Sequence, residues 1–409
     1  MTQDDGWREL HKLSMTMPDA RGDRGKLHVL SEILFLTVVG LLAGAQNAED
    51  ISYVGNTHIE WFRRFLVLKH GVPSHDTFLE VLALVKPELI EALVRAWTAG
   101  LREPGALTVV GNHVAFDGQA LRGSADRHAG NTAVQMVSAY LTGAGVVLGS
   151  KAVDRKSNEI VAIPDLIRSL DLRGATVTID AMGCQRAIAA DLRNAGAHYV
   201  LQVKDNQPTL LANAKATAVD LVRRRKPGEA PAQKQRHHDV DKGHGRIESR
   251  TCILTRDLSA IERPDDWQDV AGIAIVLRER QDVISGKTSR ETSYFIVSDP
   301  EATAATLAAI IRNHWAIENK LHWSLDVTWG SDGHCVRDRN AAENFARIRR
   351  FCDGMVKQST GWGMSARRVR LGVGWNPDNA LKVLAGEVIE RQRGRRKLDP
   401  KRFKSAKLK

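Results

Sequence analysis

Between residues 107 and 206 the apolar runs change their period in a fixed order. The segments LTVVGNHVAFDG (107–118), VQMVSAYLT (134–142) and GVVLGSKAV (145–153) are short and rich in Val and small residues. Gly-containing turns separate the last two, so the three predict an antiparallel meander, with the first strand ending at Asp117. IVAIPDLIRSLDL (160–172) has helical spacing, and ATVTIDAMG (175–183) reads as a buried strand ending at Asp180. CQRAIAADLRNAG (184–196) reads as a helix closed by Gly196, and HYVLQVKDN (198–206) as a fifth strand. The resulting order, β-β-β-α-β-α-β, demands an α/β domain built on one sheet.

The flanking segments differ in kind. Residues 1–104 predict an all-helical domain: the apolar run 27–45 has helical length, and VPSHDTFLEVLALV (72–85) offers Ser74 or Asp76 as an N-cap. EPG at 103–105 marks the boundary, and the first part of the α/β core then runs over 105–226. After the linker KPGEAPAQ (226–233), strand-like runs at RIESRTCIL, VAGIAIVLRER and TSYFIVSD predict a β-rich insertion over 227–300. A long helix is expected from about 301 to 326 and a basic helix over 340–358, which together return to the core over 301–360. Residues 361–409 form a basic C-terminal tail.

Charge narrows the partners. The 409 residues carry 59 Lys and Arg against 48 Asp and Glu, a net +11. Residues 389–409 alone hold ten basic and two acidic residues, either a solvated tail or one that grips phosphates. This excess points to a polyanion, nucleic acid first. The four Cys (184, 252, 335, 352) form no CxxC pair, against a zinc ribbon or disulfide framework and in keeping with a cytoplasmic protein. The longest apolar run, 33–45, falls short of the roughly 20 residues a bilayer span needs, so no membrane is expected.

Three carboxylates carry the chemistry. Asp117 (VAFD) and Asp180 (VTID) each follow an apolar strand and precede a small residue. Strand ends open into crevices in α/β sheets. Either Asp alone reads as a cap of the next turn. Two brought together repel, and a divalent metal relieves that cost. Glu318 sits in NHWAIENKLHWSLDV (313–327), flanked by Trp315 and Trp323, with Leu321 and Leu325 expected to pack on the core. The competing readings are a surface Glu paired with Lys or His, and a zinc set of His314, Glu318 and His322. Two strand-end Asp and a helix Glu suit two metals that clamp the attacking and leaving oxygens of a phosphoryl displacement.

These residues resemble a known family. DGQALRGS (117–124), KSNEIVAIPDLI (156–167), TIDAMGCQ (178–185), VLQVKDNQ (200–207), HGRIESR (244–250), IRNHWAIENKLHWSLDV (311–327) and NAAENFARIRR (340–350) are similar to successive motifs of ISAs-type, H-repeat-associated insertion-sequence transposases. VPSHDTF (72–78) is similar to that family's N-terminal associated domain. The resemblance implies a ribonuclease-H-like catalytic core with a β-rich insertion. It also implies a DDE triad of Asp117, Asp180 and Glu318 holding two Mg²⁺, with Mn²⁺ as substitute. The implied activity is cleavage of DNA at the inverted repeats and joining of the 3′-OH ends to target DNA, by a homodimer on double-stranded DNA. A Mg²⁺-dependent nuclease of the same fold and an inactive or repurposed DNA-binding protein are the alternatives.

Departures from the family pattern fall at Gln119 (a Lys is favoured), Asp205 (Gly), His314 (Arg) and Leu325 (Lys), with Ser331-Asp332 where an acidic pair is usual. Candidate DNA contacts are Arg122, Lys204, Asn206, Arg246, Arg312, His314, Arg347 and Arg350, since sequence-independent grip is mostly Arg or Lys on phosphate. Gln207, His244 and Arg349 are weaker candidates of the same kind. Asn340 is explained by capping, and Lys204, Asn206 and Gln207 equally by a turn that braces the site.

Overall fold

The structure is a computed structural model; it describes residues 3–22, 26–99, 112–126, 128–153, 159–222, 234–243, 245–333, 335–361 and 364–390. The expected boundary at 103–105, the linker 226–233, His244 and the basic tail from 391 on lie outside the described residues.

The N-terminal segment is helical: α1 (Gln3–Met15), α2 (Leu30–Leu42), α3 (Ala48–Thr57), α4 (Ile59–Phe62), α5 (His75–Leu84) and α6 (Pro87–Ala99). Every residue of α2 is buried, as an all-round apolar sequence requires. Its one carboxylate, Glu32, accepts from the amides of Val67 and Leu68 at 2.9 and 3.0 Å, which offsets its burial. Asn47 caps α3 through the amide of Asp50, and Ser74 caps α5 through that of Thr77.

The meander follows as β1 (His113–Leu121), β2 (Val134–Leu141) and β3 (Val146–Ala152). Then come α7 (Glu159–Ser169), β4 (Thr176–Ile179), α8 (Arg186–Asn194), β5 (His198–Val203) and α9 (Pro208–Val222). The order β-β-β-α-β-α-β is therefore present. The β-rich segment contributes β6 (Lys234–Gly243), β7 (Arg246–Thr255), β8 (Gly272–Asp282) and β9 (Thr288–Val297). All nine strands make one sheet, in the order β3-β2-β1-β4-β5-β9-β8-β7-β6. β1, β4 and β5 are parallel, and β9 joins β5 antiparallel.

Three expectations are corrected. The β-rich segment 227–300 does not stand apart but extends the core sheet, and it holds a fourth strand, β6, whose polar sequence KQRHHDVDKG gave no strand pattern. β1 does not end at Asp117; it runs four residues further because β2 continues to pair with it as far as Leu121. The helix expected over 301–326 is α10 (Ala304–His314) followed by two π-helical segments, Ile317–His322 and Ser324–Thr328.

The chain closes with α11 (Arg339–Gln358), α12 (Ala366–Trp375) and α13 (Asp378–Leu384), so the first part of the segment 361–409, expected as a basic tail, is helical, and Val369, Val373 and Leu384 join the core. α11 is rich in polar residues yet buried along most of its length, between the N-terminal helices and the sheet. Arg347 pairs with Glu91 at 3.2 Å and with Glu343 at 3.1 Å. Asn344 donates to the carbonyls of Leu82 and Val85, and Arg349 to that of Gln46. Asp353 accepts from Ser324 and from the indole of Trp329. Arg347 and Arg350 were expected to contact DNA, but they are 4% and 2% exposed and bonded to protein partners. Arg349, at 1%, is equally inaccessible. The basic face that a linear reading assigns to phosphate is the pillar that joins two halves of the chain.

Candidate active site

The parallel ladder of β1 and β4 ends at the pair Phe116 and Ile179. The next residues on the two chains are Asp117 and Asp180, so sheet register sets their carboxylates side by side. Asp117 accepts from the amide of Gly118 at 2.9 Å. Asp180 accepts from the amides of Met182 at 3.1 Å and Gly183 at 3.4 Å, capping the turn Ala181–Gly183. The capping alternative is thus realised at Asp180, and it leaves a second carboxylate oxygen for other work.

Glu318 lies in the first π-helical segment. Such segments re-aim side chains and cluster at functional sites. Burial pushes the Asp117 carboxyl up to about 7; the Gly118 amide opposes this, and the charges of Glu318, Asp180 and Glu159 add to it. The charges of Glu318, Asp180 and Glu159 therefore all reach Asp117, while the Glu318 side chain is itself exposed. Leu321, Leu325 and Trp329 anchor the segment in the core, while Trp315 and Trp323 stand 50% and 57% exposed. The two Trp flank Glu318 as expected but do not hold its helix to the sheet.

The donor set fits a hard divalent cation: oxygen ligands, one of them buried among like charges. Among the described residues no group of three His, Cys, Asp or Glu side chains is placed to hold a metal ion. Mg²⁺ does not need such a group, since it keeps waters and takes substrate phosphate oxygens. Zinc at His314, Glu318 and His322 does not fit. The Nδ1 of His314 lies 2.8 Å from the hydroxyl of Thr178, and that hydroxyl lies 2.7 Å from Nε2 of His113. Burial lowers His314 to about 4 and His113 to about 3, so both rings stay neutral in this chain of bonds under the sheet end. The His322 ring, lowered to about 3 by burial, places Nδ1 3.7 Å from Asp117 Oδ2, and its buried Nε2 has no partner.

Glu159 escaped the sequence reading because an acidic residue in the first turn of a helix is ordinary. The signal was Gly118: a Cβ there would fall inside the Glu159 carboxylate. Burial, then the charge of Asp180, raises the Glu159 carboxyl.

The remaining candidates divide. A groove of about 640 Å³ runs from Thr178 and Glu318 along β5, β9, β8 and β7, and Lys204 and Arg312 line it. Arg312 is exposed but paired with Asp241. Asn206 donates to the carbonyl of Ala181 at 2.6 Å and Gln207 to that of Cys184 at 2.9 Å, so both brace the turn after Asp180. Arg122 is exposed, 3.4 Å from Asp332, and Arg246 is exposed at the far end of β7. His314 is committed to Thr178. Gln119 accepts from Arg350 at 2.9 Å and donates to Asp326 at 2.9 Å, tying α11 and β1 to the second π-helical segment, the one after that of Glu318.

The sequence matches the Transposase DDE domain over residues 110–352 and the DDE_Tnp_1-associated region over 12–98. The chain belongs to the DDE transposase family. Protein YbfL and the H repeat-associated protein YhhI, both of Escherichia coli K12, are each 32% identical to this family member, over 91% of its length and 97% of theirs. The inactive transposase YbfQ of the same organism is 35% identical over 74 residues, 18% of this chain and 87% of its own. A piggyBac transposase synaptic complex with hairpin DNA aligns at a TM-score of 0.37 and 12% identity, covering 95% of this chain and 81% of that one. Among the described residues no helix is long and apolar enough to cross a membrane.

Proposed function

We propose that this family member is a transposase that cuts DNA at the ends of its insertion sequence and joins the 3′-OH ends to target DNA, on a ribonuclease-H-like core. The observation that carries the reading is the register placement of Asp117 beside Asp180, with Glu318 close enough to raise the Asp117 carboxyl. Asp117, Asp180 and Glu318 would hold two divalent ions, Mg²⁺ or Mn²⁺. When bound, such ions activate a water or 3′-OH and stabilise the leaving oxygen. The chain's own contribution is to hold three carboxylates against their mutual repulsion and to fix the turn after Asp180 through Asn206 and Gln207. Glu318 would act from the π-helical segment that packs beside β1.

Lys204 and Arg312, which line the groove beside Glu318, would meet phosphates there, Arg312 by exchanging its pairing with Asp241, and Arg122 and Arg246 would meet DNA further out. The helices before residue 105 serve end recognition or assembly, and two ends cut together call for a homodimer. The test is Mg²⁺-dependent cleavage of a duplex carrying the element's terminal repeat, wild type against Glu318→Ala, with binding measured in parallel. Loss of cleavage with binding retained is the expected result. Cleavage by Glu318→Ala at the wild-type rate would sink the triad. Strand-transfer products distinguish a transposase from a nuclease of the same fold.

A further inference from the structure

The π-helical segment is a ridge with a groove on each side. Asn319 lines both. The first groove, beside Glu318, mixes signs: Glu248 and Glu291 stand among its Arg residues, and Arg250 and Arg278 are ion-paired to them. The second differs. It has a volume of about 600 Å³ and lies between β2, the π-helical segments, the end of α11 and the start of α12. Its described lining contains Lys320, Lys357 and Arg367 and no Asp or Glu. Lys320 and Arg367 are exposed. Lys357 pairs with the buried Asp353 at 2.6 Å and covers the Tyr140 ring at 5.2 Å, so it contributes less free charge.

The apolar part of that groove is also distinctive. Trp323 is 57% exposed and Val327 61%, on the segment anchored beneath by Leu321 and Leu325. An exposed indole on a rigid, buried-side anchor costs solvation and contributes nothing to the core. Basic grooves with an aromatic face are how sequence-tolerant single-strand binders take nucleic acid: phosphates meet the cations and bases stack on the ring. Resting on the DNA reading above, we propose that this second groove binds a single DNA strand leaving the carboxylates, with a base stacked on Trp323 and phosphates on Lys320 and Arg367.

The test uses the full-length protein and a fluorescein-labelled oligothymidylate of about 20 nucleotides, read by anisotropy, beside a duplex of arbitrary sequence. Trp323→Ala should weaken oligothymidylate binding about 5- to 100-fold, and Trp323→Phe should keep most of it. The Lys320→Ala/Arg367→Ala pair should lower the slope of log affinity against log salt by about 1.4. Photocrosslinking with 5-iodouracil in the oligonucleotide should map to Trp323 or its neighbours, a readout that needs no variant. Wild-type binding of the oligonucleotide that neither set of variants alters would overturn the groove proposal while leaving the transposase reading intact. Binding of duplex but not single strand would do the same. Failure of the wild type to bind either DNA would remove the DNA reading itself, and this inference with it.

Discussion

The Glu159 carboxylate lies so close to the backbone of Gly118 that it occupies the space a side chain at 118 would take. Gly118 follows Asp117 directly, so one glycine admits a fourth carboxylate to the site. In Gly118→Ala the neighbour that must give way is the end of a side chain, and the fold should survive. The expected outcome is a thermal midpoint within a few degrees of wild type and cleavage reduced at least tenfold. The double variant Gly118→Ala/Glu159→Ala should be as stable as wild type and still cleave at least tenfold more slowly. Wild-type cleavage by Gly118→Ala would show that the placement of Glu159 is immaterial.

Asp117 links stability to pH. Burial and three neighbouring carboxylates raise it to about 7 from an ordinary 3.8. The folded state therefore holds this proton more tightly than the unfolded chain does. Its stabilisation is full below about pH 4 and is lost as pH rises through about 7. The loss is on the order of 4 kcal/mol at most. Denaturant melts of metal-free protein should show this fall between pH 4 and 7, and Asp117→Asn should flatten it. Mg²⁺ should restore stability at pH 7 and above in wild type only. A flat metal-free profile would contradict the burial argument.

Arg347 is buried against Glu91 and Glu343. Burial raises the Glu91 carboxyl even though Arg347 pulls it the other way, so the pair is held at a cost. Arg347→Ala leaves the carboxylates uncompensated and should destabilise the protein by about 3–5 kcal/mol in urea melts. The combination Arg347→Met/Glu91→Gln should recover most of that. A residue gripping phosphate from the surface would instead weaken DNA binding with little change in the melt.

Gln119 bridges Arg350 and Asp326 at 2.9 Å on each side. Gln119→Ala removes both bonds and leaves part of the buried Arg350 guanidinium without an acceptor. The expected cost is about 1–3 kcal/mol. Because the bridge ties β1, which bears Asp117, to the π-helical segment that follows the one bearing Glu318, cleavage should fall more than the stability change explains. Equal activity at saturating Mg²⁺ would make Gln119 a structural residue alone.

Local pattern was enough for the α/β order, the strands that lead to Asp117 and Asp180, the cap at Ser74, and the apolar anchors Leu321 and Leu325, because each depends on periodicity or on neighbours a few residues away. The motif set around 117–124, 178–185 and 311–327 was also legible, and with it the family. Sequence determined, then, the order of the apolar elements and that Asp117, Asp180 and Glu318 were the carboxylates to watch. Only the tertiary structure decided the rest. It extended one sheet through β6 to β9, carried β1 past Asp117 by pairing with β2, and turned the basic helix 339–358 inward, where Arg347 and Arg350 meet partners hundreds of residues away in sequence. It also left Trp315 and Trp323 in solvent and brought Glu159 against Gly118. Each of these turns on what lies across a packed interface, and a buried charge and a solvated one look alike in sequence until the partner that neutralises it is in place.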